Sequence, residues 1–141
     1  YGEFIECGDL NEWPVDLEEN QRYLGLPEGC IVYVRDKSFY KEGPGTPMVV
    51  THRSIIVGNE RTDEEVVGQV LSFIGQVPVL VKGEVKTGDL LVPTGRHYAV
   101  AISPDNVTFE QYKKVLGTAW ESSDKEGLSK VMCSIGVKNT Y

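Results

Sequence analysis

Two histidines and a set of serines are the residue types with which this chain could build hydrolytic chemistry. His52 lies in the segment Val-Thr-His-Arg-Ser, and His97 lies in Thr-Gly-Arg-His-Tyr. A serine becomes a nucleophile when a base such as histidine accepts its proton at hydrogen-bonding distance. The fold would have to bring Ser54 or Ser72 to one of these histidines. The sequence favours two loop histidines without a catalytic role.

The three cysteines are a second group with chemical potential. Cys7, Cys30 and Cys133 have spacings that match no zinc motif, and their number is odd. With only two histidines beside them, a nitrogen–sulfur metal site is not expected. The pattern predicts free thiols that are buried or half-buried. One disulfide of unknown pairing stays open at this point.

An acidic run near the start of the chain could supply oxygen ligands to Ca²⁺. Its members are Asp9, Asp16, Glu18 and Glu19. The run lacks the Asp-x-Asp-x-Asp-Gly spacing of an EF-hand loop, which favours a solvated acidic face. Residues 43–47 and 94–97 likewise lack the pattern of a phosphate-binding loop. No metal and no cofactor is therefore expected.

The overall composition restricts the class of protein and of partner. The chain has 141 residues, of which 40% are hydrophobic and 25% charged, as in an ordinary globular domain. Its formal net charge of −7 disfavours nucleic-acid binding, because phosphate contacts need clustered Lys and Arg. No apolar run approaches the roughly 20 residues of a membrane helix, so membrane insertion is not expected.

The elements that must position these residues are organised around residues 77–93. The apolar run Val-Pro-Val-Leu-Val precedes the turn Lys86-Thr87-Gly88-Asp89, and a second run, Leu-Leu-Val, is stopped by Pro93. Two β-rich runs around such a turn predict a hairpin or a tight corner. Gly88 is expected to adopt a positive φ, and Asp89 to bond its own backbone.

A similar turn stands earlier in the chain. Laying residues 26–33 over residues 85–92 places Gly29 on Gly88, 59 positions later. The match predicts that one structural corner is used twice, with a turn glycine followed by a strand that enters the core.

Short β-strands account for most of the remaining pattern. They are predicted at residues 1–6, 31–34, 48–51, 54–57, 118–121 and 131–137. The β-branched and aromatic segment 66–74 is predicted as a long strand with a bulge at Gly68. Residues 8–22 are expected to form a surface loop with at most one helical turn, at residues 16–20.

One short helix is predicted at residues 109–116. Thr108 and Gln111 form a capping box, and Gly117 stands where a C′ residue belongs. The apolar residues that would share one face of this helix and place it on a sheet are Phe109, Tyr112 and Leu116. Thr108 also ends a glycosylation sequon that begins at Asn106, and the cap is the favoured interpretation.

These elements together predict an all-β fold. Seven to ten short strands with Gly- and Pro-rich turns, and one short α-helix near 109–116, describe a compact barrel or sandwich. The length predicts a single β-rich domain spanning residues 1–141.

Four segments, in this order, resemble the C-terminal domain of phage tail fibres, tailspikes and neck appendages. They are residues 1–6, residues 66–72, the stretch 77–93, and residues 116–121 with the closing strand. In that family an acidic Tyr-Ala-Glu-type strand is followed by a Val-Gly-Val-Val-Ser-type strand. A Val-Lys-x-Gly-Asp-Leu-Leu-Val-Pro-type hairpin and a Gly-x-Ala-x-Glu strand come next. The likeness covers most of the chain, with residues 8–24 and 35–65 differing.

The resemblance implies the C-terminal part of a longer, fibre-like viral protein that forms homotrimers. Some members of the family are autoproteolytic intramolecular chaperones, which help the fibre fold and then cut themselves off. In such a role Glu3 and Glu6 would be the catalytic carboxylates. Gly2 stands where relatives have a bulkier residue. Because residues three apart on a strand point to opposite faces, solvated structural carboxylates are favoured for Glu3 and Glu6.

Three functions are compatible with the sequence. The first is a structural module of a virion or extracellular surface assembly that serves folding, trimerisation or host attachment. The second is a self-cleaving chaperone peptidase that acts once in cis, and the first is preferred to this enzyme. The third is a module that binds carbohydrate or protein. The aromatic residues that could supply its stacking surface, or anchor a neighbouring subunit, are Trp13, Tyr33, Tyr40 and Tyr98.

Overall fold

The computed structural model describes residues 2–13, 24–52, 57–58 and 67–136. These residues form eleven β-strands, one short 3₁₀ turn at Leu10–Glu12 and one α-helix, α1 (Phe109–Lys113). The strands are β1 (Gly2–Cys7), β2 (Ile31–Arg35), β3 (Ser38–Tyr40), β4 (Thr46–Val50), β5 (Val57–Gly58), β6 (Gly68–Ser72), β7 (Gly75–Lys82), β8 (Leu90–Pro93), β9 (Ala99–Ile102), β10 (Gly117–Ala119) and β11 (Leu128–Ile135). The predicted all-β class with one short helix is confirmed. The described strands outnumber the seven to ten that the sequence predicts.

Five strands of the first half form a closed circuit of pairings. β3 pairs with β2, β2 with β4, β4 with β6, and β6 with β1. A parallel pairing between β1 and β3, at Glu6–Ser38 and Cys7–Phe39, closes the circuit. β5 pairs in parallel with the first residues of β1, Gly2 and Glu3. We call this circuit the first barrel.

Five strands of the second half form a closed barrel in the order β10-β11-β7-β9-β8. Its longest pairing joins β7 and β11 antiparallel from Gly75–Ile135 to Lys82–Leu128. β8 runs antiparallel to both β9 and β10, and β7 runs parallel to β9. We call this circuit the second barrel.

The two barrels repeat the same topology. In the first, β2 is antiparallel to β3 and β4, β6 is antiparallel to β4 and β1, and β1 is parallel to β3. In the second, β8, β9, β10, β11 and β7 take the places of β2, β3, β4, β6 and β1, with the same directions. The chain is therefore an internal structural duplication.

The repeated corner that the sequence predicts is present in both barrels. Gly29 and Gly88 both have φ of +94°. The Gly29 amide donates to the Val50 carbonyl, and the Gly88 amide donates to the Ala119 carbonyl, each at 2.9 Å. Each corner thus starts one strand and fastens it to the strand that becomes its antiparallel neighbour.

The stretch 77–93 forms a tight corner and not a hairpin. The Asp89 amide donates to the Lys86 carbonyl at 2.9 Å, and the Asp89 carboxylate accepts from the Lys86 amide at 2.9 Å. The flanking strands β7 and β8 do not pair with each other, because β11 pairs with one edge of β7 and β9 lies between β7 and β8 on the other. The turn prediction is confirmed, and the hairpin alternative is wrong.

Replacing Gly88 by valine is expected to destabilise the fold by about 1–3 kcal/mol. The surroundings of Gly88 have open space for a side chain, so the cost arises from its positive φ, which a β-branched residue adopts only with strain. Urea unfolding of the wild type and the variant measures the difference. Equal midpoints for the two proteins would contradict this assignment of strain.

The hydrophobic core has two parts that meet at β2. One cluster fills the first barrel and includes Val32, Phe39 and Leu71, each without exposed surface. The other fills the second barrel but also contains Ile31, Tyr33 and Val49 of the first barrel. Because neighbouring residues of a strand face opposite sides, β2 serves both clusters at once. This explains the uninterrupted apolar run at the start of β2.

Segment 66–74 differs from its prediction in extent. The strand in this region is β6, which ends at Ser72, and Phe73 and Ile74 connect it to β7 with 41% and 42% of their surfaces exposed. Gly68 pairs regularly with Glu6, so it forms no bulge there. A Cβ at Gly68 would overlap the Ile5 carbonyl oxygen, and this close approach explains the glycine. Val66 lies outside the described residues.

The helix has the predicted start but not the predicted end. The capping box is complete, since the Thr108 hydroxyl accepts from the Gln111 amide and the Gln111 side chain accepts from the Thr108 amide. The helix ends at Lys113, and Gly117 begins β10 instead of serving as C′. Phe109 is 72% exposed, and α1 has no buried residue, so the predicted packing of this helix on a sheet is wrong.

The ends of the chain follow the predictions with adjusted limits. The opening strand is confirmed as β1, and the closing strands are confirmed as β10 and β11. The 3₁₀ turn at Leu10–Glu12 lies in the predicted loop 8–22, whereas the helical turn predicted at 16–20 lies outside the described residues. Among the described residues no helix is long and apolar enough to cross a membrane.

Candidate functional site: a recess between the two barrels

The candidate catalytic carboxylates lie on β1. Glu3 is half-buried opposite Leu71 of β6, and Glu6 is exposed opposite Gly68. Their spacing along an extended strand directs their side chains to opposite faces. Neither residue lines the recess described below. Their catalytic role stays a prediction that depends on the family resemblance.

The histidines and serines are engaged with the backbone or with aromatic rings. The Nε2 atom of His52 lies 3.0 Å from the Leu26 carbonyl oxygen. The Ser72 hydroxyl donates to the Ile74 carbonyl at 3.1 Å. The His97 ring meets the Tyr98 ring edge-on at 5.1 Å. Ser54 lies outside the described residues.

All three cysteines are free thiols, as the sequence predicts. Burial raises the pKa of Cys7 to about 11 and the pKa of Cys133 to about 12, and it also raises the pKa of Cys30. A raised pKa keeps a thiol protonated at neutral pH, and the protonated thiol is a poor nucleophile. Cys30 and Cys133 belong to the buried core, and Cys7 is half-buried against the core of the first barrel.

Asp9, the described member of the acidic run, is a structural anchor. Its carboxylate accepts one hydrogen bond from the Trp13 indole at 2.8 Å and another from the Lys41 amide at 2.9 Å. Asp16, Glu18 and Glu19 lie outside the described residues. Within the described part of the chain, no three His, Cys, Asp or Glu residues group in a way that could hold a metal ion.

A concave feature with a built wall lies where the two barrels meet. It has a volume of about 530 Å³, within the range of about 300–1,000 Å³ that is typical of small-ligand sites. The β3–β4 connection forms one wall, and the β8–β9 connection with the end of α1 forms the other. The lining residues are Tyr33, Gly43, Pro44, Gly45, Thr46, Pro47, Pro93, Thr94, Gly95, Lys113 and Lys114. We call this feature the junction recess.

Tyr33 is a buried residue whose hydroxyl holds one wall of the junction recess in position. Only 4% of Tyr33 is exposed, and burial raises its pKa. Its hydroxyl donates to the Arg96 carbonyl at 2.8 Å and accepts from the Gly95 amide at 2.8 Å. One side chain of the first barrel thus holds two backbone groups of the second barrel in place.

Two backbone hydrogen bonds add to this connection between the barrels. The Gly43 amide donates to the Gly95 carbonyl at 3.0 Å, and the Ile31 amide donates to the His97 carbonyl at 2.9 Å. Both walls of the recess are therefore bonded to each other directly. A ligand would meet a shape that is set before it arrives, which lowers the ordering cost of binding.

Arg35 holds the β3–β4 connection in its path. Its Nη1 atom donates to the Glu42 carbonyl at 3.1 Å and to the Pro44 carbonyl at 2.6 Å. The guanidinium lies over the Tyr40 ring, with Cζ 3.7 Å from the ring centroid. This cation–π contact, together with the two hydrogen bonds, holds the half-buried arginine in one position.

The charge at the junction recess comes from two lysines. Lys113 pairs with Glu110 at 3.3 Å, with both side chains more than half exposed. Lys114 belongs to the same turn, and its ammonium has no ion pair with any residue that the structure describes. The lining contains no acidic residue, so this part of an acidic chain is locally cationic.

A second, more polar recess of about 360 Å³ adjoins the first and shares Gly43 with it. Its remaining lining residues are Asp9, Glu12, Arg35, Tyr40, Lys41 and Glu42. Charges of both signs line it, and the ammonium of Lys41 lies 5.8 Å from the centroid of the Trp13 ring. Both recesses thus border the β3–β4 connection.

The chain has no match among the protein-family models, the curated proteins or the solved structures with which it was compared. The likeness to phage fibre domains thus remains a prediction from the sequence.

The four aromatic residues singled out from the sequence have separate positions. Tyr33 lines the junction recess, and Tyr40 lines the adjoining one. Trp13 packs edge-on against Phe39 at 6.4 Å, beside the second recess. Tyr98 contacts His97 and the ammonium of Lys82, which lies 5.6 Å from its ring centroid.

The sequence did not reveal that the two Gly- and Pro-containing loops form one site. Residues 43–47 and 94–97 are recognisable as loops, but they lie about fifty positions apart and in different repeats. The repeat signal of Gly29 and Gly88 was the one clue that two similar units could meet. The lysines were visible as the single adjacent basic pair, Lys113-Lys114.

Proposed function

We propose that this chain is a structural and attachment module of a fibre-like surface assembly, such as a phage tail fibre or neck appendage. It works by binding and not by chemistry. The junction recess is its contact with a target, and a homotrimer is its working form. The virion or another extracellular surface assembly is its location.

The observation that carries this proposal is the preformed junction recess. Its two walls come from the two barrels and are joined by the Tyr33 hydroxyl and by the Gly43–Gly95 hydrogen bond. Recesses of this size at the meeting of two units commonly bind ligands. The residues that line it include no histidine, cysteine or carboxylate with which to catalyse a reaction. Recognition is the role that suits such a lining.

The exposed apolar side chains support association. Among the described residues, five large ones are exposed by 41–72%, namely Phe73, Ile74, Phe109, Trp120 and Leu128. Burial of apolar surface contributes roughly 25 cal/mol per Å². In a closed ring the same pair of surfaces joins each subunit to the next, and the fibre proteins that the sequence resembles are trimers.

The competing proposal, a peptidase acting in cis, depends on Glu3 and Glu6. Two carboxylates that share a reaction must both reach the scissile peptide. β1 directs these two side chains to opposite faces. Attachment does not require these two carboxylates to lie close together, and it is therefore the preferred proposal.

Sedimentation of the isolated chain at several ionic strengths tests the proposed association. We expect a species of three times the chain mass at micromolar concentration and moderate salt. The net charge of −7 per chain opposes association at low salt, so the trimer should tighten as salt screens the repulsion. Phe109→Ser and Trp120→Ser are expected to weaken it.

Asn106→Ser is the matched control, because Asn106 is exposed and the change keeps a neutral polar surface. It should leave the sedimentation profile unchanged. A monomer under all conditions would contradict the trimer. Equal effects of Asn106→Ser and Trp120→Ser would show that the apolar side chains are not the contact.

A further inference from the structure

The wall of the junction recess is rich in rigid rings. Pro44, Pro47 and Pro93 line it, whereas Tyr33, which also borders it, is only 4% exposed. Proline ring faces suit the C–H face of a compact ligand, since a proline side chain loses almost no conformational entropy when it is buried. The wall therefore selects a ligand with a flat, partly apolar face.

The rim of the same recess supplies positive charge. Lys113 and Lys114 both line it, and no Asp or Glu does. Glu110 engages Lys113 at the surface, and the Lys113 ammonium also lies 4.7 Å from the Phe109 ring centroid. Lys114 is thus the cation more free to meet a ligand. Hydrogen bonds between a cation and a carboxylate are about twice as strong as neutral ones.

The lining offers hydroxyl and backbone groups between the rings and the cations. Thr46 and Thr94 contribute hydroxyls to the lining, and Gly43, Gly45 and Gly95 contribute backbone. The Thr94 hydroxyl donates to the Tyr98 carbonyl at 2.8 Å, which fixes its orientation. The amides of Gly43 and Gly95 are already bonded within the junction, so a ligand hydroxyl would donate to hydroxyl and carbonyl oxygens of this lining.

From these three features we infer that the junction recess binds a carboxylate-bearing sugar unit of an acidic glycan. One face of the sugar ring lies on the proline rings, and its carboxylate meets Lys114 and Lys113. The inference rests on the proposed attachment function and adds the class of ligand to it.

Two other anionic classes fit the recess less well. Inorganic phosphate is a compact anion that would use the lysines but leave the ring-lined wall without a partner. An acidic peptide carries its carboxylates on flexible side chains. These side chains would lose conformational entropy when they became ordered in a rigid recess the size of a sugar ring. The combination of rings and cations in one lining favours the sugar acid over both.

Titrations followed by amide NMR test this inference on the intact chain. The probes are a disaccharide of galacturonic acid, a neutral disaccharide of galactose, inorganic phosphate and the dipeptide Glu-Glu. Shifts at Gly43, Gly95 and Lys114 report binding in the recess. We expect the acidic disaccharide to bind about tenfold more tightly than the neutral one, at moderate salt.

The double variant Lys113→Gln/Lys114→Gln should remove this tenfold preference while leaving weak binding of the neutral sugar. The control is Lys86→Gln/Lys125→Gln, which makes the same charge change at two exposed lysines outside the recess. It should keep the preference. Equal loss in both double variants would overturn the assignment of the lysines.

The remaining outcomes separate the ligand class from the attachment function. Equal binding of acidic and neutral sugars in the recess would overturn the acidic class but leave attachment standing. Phosphate or Glu-Glu binding more tightly than the acidic sugar would also overturn it, in favour of a bare anion or an acidic peptide. Absence of recess shifts with every probe, up to millimolar concentration, would overturn the sugar-acid inference and remove the main support for attachment.

Discussion

Replacing Gly117 by alanine is expected to destabilise the protein by about 3 kcal/mol or more. A Cβ at this position would overlap the backbone carbonyl oxygen of Ser134 in β11 and crowd the Cα atom of Ile135 at 2.9 Å. Backbone atoms in a closed barrel cannot rotate away as a side chain can. β10 would have to move off β11, and the pairing of Gly117 with Ile135 would be lost.

Thermal unfolding measures this effect, and a decrease in Tm of about 10 °C or more is expected. Gly127→Ala is the matched control, because no atom lies within 4 Å of the position of its Cβ. That variant should unfold within a degree or two of the wild type. If the two variants lost equal stability, the close approach of β10 and β11 would not be the cause.

Replacing Tyr33 by alanine is expected to cost about 3–5 kcal/mol, as for the truncation of other buried aromatic residues. The change removes a ring that packs in the core of the second barrel and leaves a cavity. It also removes the hydroxyl that bonds Gly95 and Arg96, so the two walls of the junction recess lose their shared partner. We therefore expect a lower free energy of unfolding and a junction recess that no longer keeps its shape.

Tyr33→Phe separates these two contributions. It keeps the ring and removes only the hydroxyl, so we expect a loss of about 1–2 kcal/mol in urea unfolding. Tyr98→Phe is the control, because Tyr98 lies near the same loop and its described contacts are made by its ring and backbone. A loss in Tyr98→Phe as large as that in Tyr33→Phe would show that the hydroxyl bridge is unimportant.

The sequence predicts local structure well wherever a local cause decides it. The positive φ of Gly88 follows from the turn Lys-Thr-Gly-Asp, and the helix start follows from Thr108 and Gln111. Each feature is set by residues within four positions of one another. The all-β class likewise follows from β-branched runs that are too short and too frequent for helices.

The predictions fail where tertiary contacts decide. The glycine at position 68 suggests a bulge from sequence alone, whereas its cause is the Ile5 carbonyl on another strand. Gly117 suggests a helix end, whereas it permits β10 to approach β11. A glycine that is needed for close approach gives the same signal in a sequence as one needed for a turn.

The candidate site is the part of the structure that the sequence predicts least well. Tyr33 resembles any other aromatic residue of an apolar strand, and its partners Gly95 and Arg96 lie more than sixty positions away. Only the duplication of one topology brings the two loops to a common junction. The match of Gly29 to Gly88 in the sequence predicts two similar units. It does not predict which of their loops lie against each other.

The proposed attachment function and the proposed sugar-acid ligand both depend on a junction that is fixed before a ligand arrives. Amide hydrogen exchange of the free protein measures this directly. The amides of Ile31, Gly43 and Gly95 cross the junction, and those of Val79 and Val131 lie in the paired centre of the second barrel. We predict opening free energies for the junction amides within about 1 kcal/mol of those of the barrel amides. Exchange of the junction amides at near-unprotected rates, while the barrel amides stay protected, would contradict a preformed recess.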